Sequence, residues 1–319
     1  MNPSEAQSSS RADSGQATLS LVLGSGGARG LAHIGAIRAL EQAGYRIQSI
    51  AGCSMGAVIG GMYAAGKLTD YSDWICSLQQ SDVLKLVDWT LSGGGLIRGK
   101  KIIEQLREMV GDVEIENLDI DFTAVTVDIE QGREIWLSKG SLFDAIRASI
   151  AIPGLFTPHR YHGKLLVDGG ILNPVPVAPT LRCLTDLTMV VNVNGPIPGS
   201  SSRISSRAEK HDSEGPGLAA DQADDDAGLI DRIRKFFNGL VDHDDSARED
   251  TPPGLVAILL KSLETMESVI TRQHLAVFRP DLVIEVPKNA CMIHEFHRAE
   301  ELIELGYRRT IDALERACD

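Results

Sequence analysis

Residues 47–66 read IQSIAGCSMGAVIGGMYAAG. The run Ile47–Ala51 suits a buried strand, and Gly52-Cys53-Ser54-Met55-Gly56 suits a sharp turn. A helix is expected from there to about Ala65, closed by Gly66. Ser54 at the centre of G-x-S-x-G takes the nucleophile-elbow position. The strand delivers its hydroxyl to a turn, and the helix behind it offers unpaired N–H groups, Met55 first, to a developing oxyanion. Gly52 and Gly56 fit because backbones that close together leave no room for a Cβ. No residue between Arg46 and Lys67 is charged, and the stretch is about as long as a membrane span. Its glycines (Gly52, Gly56, Gly60, Gly61, Gly66) and the turn at its centre favour a buried strand–turn–helix instead.

Upstream, Thr18–Leu23 (TLSLVL) runs into Gly24-Ser25-Gly26-Gly27-Ala28-Arg29-Gly30. A helical pattern follows over Leu31–Ala43, with Ile34, Ile37 and Leu40 on one face and Gly44 as its C-cap. Two consecutive strand–turn–helix units require parallel strands covered by helices, so the fold class is α/β. Further elements are expected as a helix within Leu96–Val110, a hairpin of Phe122–Ile129 with Glu134–Ser138, and a short helix over Ser141–Ser149. Strands follow at Lys164–Val167 and Leu187–Val193. A helix over Leu255–Val277, a strand at Leu282–Val286 and a last helix over Arg298–Leu314 complete the chain. The hairpin makes the sheet mixed.

The glycine loop has two readings. A dinucleotide fingerprint fails on spacing, because the final glycine position counted from Gly24 is Arg29, and no acidic residue ends the second strand. An oxyanion loop fits better: the amides of Gly26 and Gly27 are unhindered and stand at the end of a strand beside the elbow. A plain tight turn is the bland alternative. Asp168-Gly169-Gly170 closes a predicted strand, on the edge where α/β sheets place ligands. Alone such an Asp is more often a turn or capping residue. Beside a serine nucleophile it becomes a candidate base.

These blocks, LVLGSGGARGLAHIGAIRAL (21–40), GCSMG (52–56), SIAIPGLFTP (149–158) and VDGGILNPVPV (167–177), together resemble the patatin-like phospholipase family, its bacterial members and the neuropathy target esterase branch. The resemblance runs through 18–195 and returns more weakly over Asp281–Gly306. Ser25 stands where many members carry Gly. It implies a three-layer α/β/α fold with a mostly parallel, mixed sheet. It also implies a Ser54–Asp168 dyad without His, acting on acyl esters of lipids through an acyl-enzyme, as phospholipase A or lysophospholipase. A thioesterase or general carboxylesterase uses the same machinery. A regulatory protein that keeps the fold without turnover is the alternative of another class, opposed by the intact Ser54, Asp168 and glycine loop. An α/β-hydrolase triad is disfavoured because the elbow arrives after only one strand.

Among the histidines, His33 lies at a core-packing position. His159 and His162, flanking Tyr161 near Asp168, are the only understudies for the base, since His211, His243, His274, His294 and His297 fall in the acidic segment or the C-terminal part. A carboxylate of ordinary pKa, about 3.9, must be raised by desolvation to take a serine proton near neutrality. Arg29 has two open roles: orienting a substrate phosphate or carboxylate, or tying a neighbouring strand end.

The 319 residues carry a net charge of −13, which argues against nucleic-acid binding. From Pro196 to Asp250 there are 13 acidic residues against 7 basic. This is nearly half the net charge of the chain and reads as a low-complexity insertion within a hydrolase domain of 18–319. Inside it, Leu229–Val241 has an apolar stripe with Phe236 and Phe237 beside Arg232, Arg234 and Lys235. It suits peripheral membrane contact or a helix docking on its own protein as a lid. Residues 1–17 are expected to be a disordered lead-in. Five scattered cysteines without C-x-x-C spacing indicate a reducing, cytoplasmic compartment. No calcium-loop pattern occurs, and neither metal nor cofactor is expected. The oligomeric state leaves no mark in the sequence.

Overall fold

The computed structural model describes residues 16–90, 95–197 and 255–318. Residues 1–15 of the expected lead-in, 198–250 of the acidic segment and the Leu229–Val241 stripe lie outside them. The chain divides into a unit of residues 1–200 with 256–319 and a unit of 201–255. The first unit holds the sheet, the core and all predicted site residues.

Strands β1 (Thr18–Leu23) and β2 (Arg46–Cys53) pair in parallel, with α1 (Ala32–Gln42) between them and α2 (Met55–Ala64) after the elbow. Helices α3 (Leu68–Ser77) and α4 (Gln80–Leu86), strand β3 (Gly95–Ile97) and α5 (Lys100–Val110) follow. Then come β4 (Asp121–Asp128), β5 (Arg133–Leu137), α6 (Leu142–Ser149), β6 (Gly154–Phe156), β7 (His159–Tyr161) and β8 (Lys164–Asp168). The chain continues through β9 (Leu187–Gly195), α7 (Leu255–Phe278), β10 (Leu282–Pro287) and α8 (Ala299–Cys318). The main sheet has the order β10-β9-β1-β2-β4-β8-β7, with β5 also on β4, and β3 pairs β6 separately. The five strands from β10 to β4 are parallel; β5, β7 and β8 add antiparallel pairs. The sheet is therefore mixed, as expected.

Alternation along β1 and β9 shows why three layers form. Leu19, Leu21, Leu23, Met189 and Val191 point into a large cluster with the apolar residues of α1, α2 and α8. Val22 and Val190 point the other way, to Val175, Val177 and Leu275 and Phe278 of α7. Both faces of these strands are buried, which accounts for continuous apolar runs such as LSLVL. α1 meets α8 at backbone distance: a Cβ on Gly35 would stand 1.8 Å from Ile303 O, and one on Gly306 1.9 Å from Ala32 O.

The feature that positions the site is the crowding of β4. Ala124 and Val125 pair with β2 on one edge and β5 on the other. Thr126–Asp128 pair with β5 and with β8. β8 therefore occupies the same edge as β2, beyond the point where β2 stops, and runs the opposite way. The two strands meet head to head, with Cys53 opposite Val125 and Asp168 opposite Thr126. The sequence reading placed Asp168 on the ligand edge as the end of a strand whose direction it left open. β8 is antiparallel, and Asp168 reaches that edge because β4 outruns β2 and brings β8 back toward it.

Candidate active site

Ser54 follows the end of β2 at φ 55° and ψ −121°, a conformation an L-residue rarely adopts. Such a residue stores about 1–3 kcal/mol, and its surroundings must hold it. They do so by close approach and by hydrogen bonds. A Cβ on Gly56 would lie 2.1 Å from Leu23 O, so the start of α2 presses directly on β1, and Gly52 is packed under Gly56. The Ser54 amide donates to Ser149 Oγ (2.9 Å), and Ser149 donates in turn to Val125 O (2.7 Å). Ser149, fully buried at the end of α6, thus ties the elbow to β4.

Asp168 lies at the β8 terminus, 3% exposed. Its Oδ1 accepts from Gly170 N (2.7 Å) and the Cys53 thiol (3.7 Å). Its Oδ2 is buried without a partner of full hydrogen-bond geometry. Burial raises the carboxyl to about 6, against hydrogen bonding from Ser54, Gly170 and Cys53 that pulls it down. The same burial, with Asp168 nearby, pushes the Cys53 thiol up, so Cys53 remains a neutral neighbour. Gly169 packs over Val125 O.

The glycine loop leaves β1 beside the elbow. Gly24 N donates to Val191 O, Ser25 N to Pro174 O and Ala28 N to Ile293 O. Among the described residues the amides of Gly26 and Gly27 have no protein acceptor, and neither does that of Met55, the first residue of α2. Gly27 turns at φ 56°, and Gly30 packs on the Met55 side chain, joining loop to elbow. Arg29 is buried, and both its Nη atoms are engaged. Nη1 donates to the carbonyls of Lys288 and Cys291; Nη2 donates to Asn194 Oδ1 (2.8 Å) and forms an ion pair with Glu264 (2.8 Å). Asn194 Nδ2 donates to Ser25 O (2.9 Å). Of the two roles open to Arg29, these contacts favour the structural one.

None of His33, His159, His162 and His274 is hydrogen-bonded to Ser54 or Asp168. His33 Nε2 donates to Gly24 O (2.8 Å), and burial lowers its pKa to about 4, so it braces the loop as a neutral ring. His159 pairs with Asp144 (3.1 Å), and His162 packs edge-on against Tyr161. His274 on α7 meets Asn173 Oδ1 (3.0 Å), and Asn173 donates to Glu134.

Glu267 on α7 has no counterpart in the sequence reading. Its Oε2 accepts from Ser25 Oγ (3.1 Å), and Oε1 stands over Gly170. Glu264, Glu267, Thr271 and His274 recur every three or four residues, a polar stripe that could have marked the inward face of this helix. The opposite face carries Ile258, Leu259, Met266, Val269 and Val277, all exposed.

The sequence model of the patatin-like phospholipase family matches residues 21–181. NTE family proteins of Mycobacterium bovis and Mycobacterium tuberculosis are each 38% identical over 93% of this chain and 91% of their own length. The chain belongs to the patatin-like phospholipase family. A fungal relative of this patatin-like protein, lysophospholipase nte1 of Emericella nidulans, is 32% identical over 54% of the chain and 12% of its own length. Among solved structures, VipD from Legionella pneumophila aligns over 95% of this chain and 67% of its own, with a TM-score of 0.44 and 14% identity. Family membership makes the patatin-like chain an enzyme, a lipid-hydrolysing esterase.

Proposed function

We propose that the chain hydrolyses acyl esters of phospholipids or lysophospholipids with Ser54 as nucleophile and Asp168 as base. The observation that carries this reading is the head-to-head meeting of β2 and β8, which sets Ser54 against a buried carboxyl with one oxygen unpartnered. Asp168 takes the Ser54 proton as Oγ bonds to the ester carbonyl carbon. The negative charge arising on the carbonyl oxygen is met by the amides of Gly26, Gly27 and Met55. Collapse of this intermediate expels the alcohol or lysolipid, which leaves with the proton from Asp168. Asp168 then deprotonates water as it attacks the acyl carbon, and returns that proton to Ser54 Oγ as the acyl C–O bond breaks and the fatty acid leaves. A base at about 6 is ionised at neutral pH and still basic enough to share a serine proton.

Contact with a lipid surface belongs to the same reading. Ile258, Leu259, Met266, Val269 and Val277 fall within about 100° of arc on α7, on the side away from Glu264, Glu267 and His274. Among the described residues no helix is long and apolar enough to cross a membrane. An outward apolar face beside the site suits an enzyme that takes its substrate from a bilayer surface.

The test is release of fatty acid from phospholipid and lysophospholipid by wild type, Ser54→Ala and Asp168→Asn. Each variant should lose on the order of 10³-fold or more of kcat, with circular dichroism unchanged. Turnover near the wild-type rate in either variant would refute the dyad.

A further inference from the structure

The Ser54–Asp168 dyad uses one of two carboxyls that close on the same point. Gly170 lies between them: a methyl group at its Cα would stand 2.3 Å from Glu267 Oε1 and 3.1 Å from Asp168 Oδ1. Glu267 comes from α7, on the far side of the glycine loop, and its second oxygen accepts from Ser25 Oγ (3.1 Å). One side chain thereby spans the loop that presents Gly26 and Gly27 and the turn that orients Asp168. Charge around it is unevenly placed. Asp168 faces it from β8 and Glu264 from its own helix, with Arg29 the opposing cation and Cys53 a neutral thiol at the end of β2. Arg29 is already engaged by Glu264 (2.8 Å).

We propose that Glu267 is a positioning acid of this site, its neutral carboxyl holding the glycine loop and the Asp168 turn in one frame. The inference rests on the Ser54–Asp168 reading above. Two carboxylates flanking one glycine cannot both ionise without strong repulsion, so the site keeps a proton on one of them. Burial, then the charge of Asp168, raises Glu267 to about 8, above Asp168 at about 6. Asp168 Oδ1 has two donors, Gly170 N and the Cys53 thiol, against the single Ser25 hydroxyl on Glu267, so the charge is held better on Asp168 and the proton stays on Glu267, which leaves Asp168 free to act as base. When Glu267 ionises, its charge stands beside the loop where an oxyanion must form, and turnover falls.

The experiment is the pH dependence of kcat/KM for a soluble p-nitrophenyl ester, measured on wild type, E267Q, E267A and S54A. Wild type should fall below about 6 as Asp168 protonates and above about 8 as Glu267 ionises. E267Q keeps the neutral shape, so it should match wild type near neutrality and lose the alkaline fall. E267A removes the bridge and should lower kcat about tenfold with KM unchanged, the loss expected from one hydrogen bond that positions reacting groups. An alkaline fall unchanged in E267Q, or E267A equal to wild type at neutral pH, would overturn the proposal. Should E267A fail to fold, the E267Q profile decides alone. Full activity in S54A would overturn the underlying reading, a result distinct from either Glu267 outcome.

Discussion

Ser149 divides one hydroxyl between two backbones. Its oxygen accepts from the strained Ser54 amide, and its proton goes to Val125 O, so the elbow and β4 are held by a single buried atom. Ser149→Ala leaves a buried N–H and a buried C=O unpaired, which costs about 1–3 kcal/mol of stability. Because the elbow then relaxes from φ 55°, kcat should fall more than KM rises. Thermal melts together with ester kinetics check both parts. Asp168 shows the same economy at the level of charge. Its Oδ1 is fixed by Gly170 and Cys53, and the cost of burying its charge is what makes it basic. Ser54, Asp168 and the loop glycines could be singled out as candidates from residue type, spacing and the family resemblance. Ser149 and Glu267 were not, because a serine at a helix end and a glutamate in a long helix are common, and only their partners across the fold distinguish them.

At the scale of elements, α7 is the helix whose reading was incomplete. Its existence follows from an apolar run, but its inward side mixes polar residues with the apolar ones that the usual pattern would place there. Here Glu264, Glu267 and His274 turn inward to Arg29, Ser25 and Asn173. Leu275 and Phe278 carry apolar contact to the cluster of Val22 and Val190. The outward side keeps Ile258 and Met266 about half exposed. Replacing both by Asp should weaken binding to phosphatidylcholine vesicles on the order of tenfold while leaving hydrolysis of a soluble ester unchanged. Flotation of the two proteins with liposomes, beside a soluble-ester assay, measures each effect separately. Unaltered partitioning would remove α7 from the lipid-facing surface.

Across the whole molecule, the parallel core was legible because βα units announce themselves. TLSLVL-GSGGARG and IQSIA-GCSMG each place an apolar run before a glycine turn and a helix, and β1 and β2 pair as that pattern requires. The antiparallel return was not legible. Nothing in KLLVD states which edge of β4 it joins, and short strands such as β3, β6 and β7 have too few residues to show a period. Yet the proposed dyad depends on that return, since strand order and not sequence distance brings Asp168 to Ser54 across 114 positions. The most direct test is the rate at which a fluorophosphonate labels Ser54 as pH is varied, with the adduct located by mass spectrometry, in wild type and Asp168→Asn. A labelling rate that rises through about pH 6 in wild type and is almost abolished in the Asn variant is the predicted result. Equal labelling of Ser54 in both proteins, or an adduct on another residue, would contradict it.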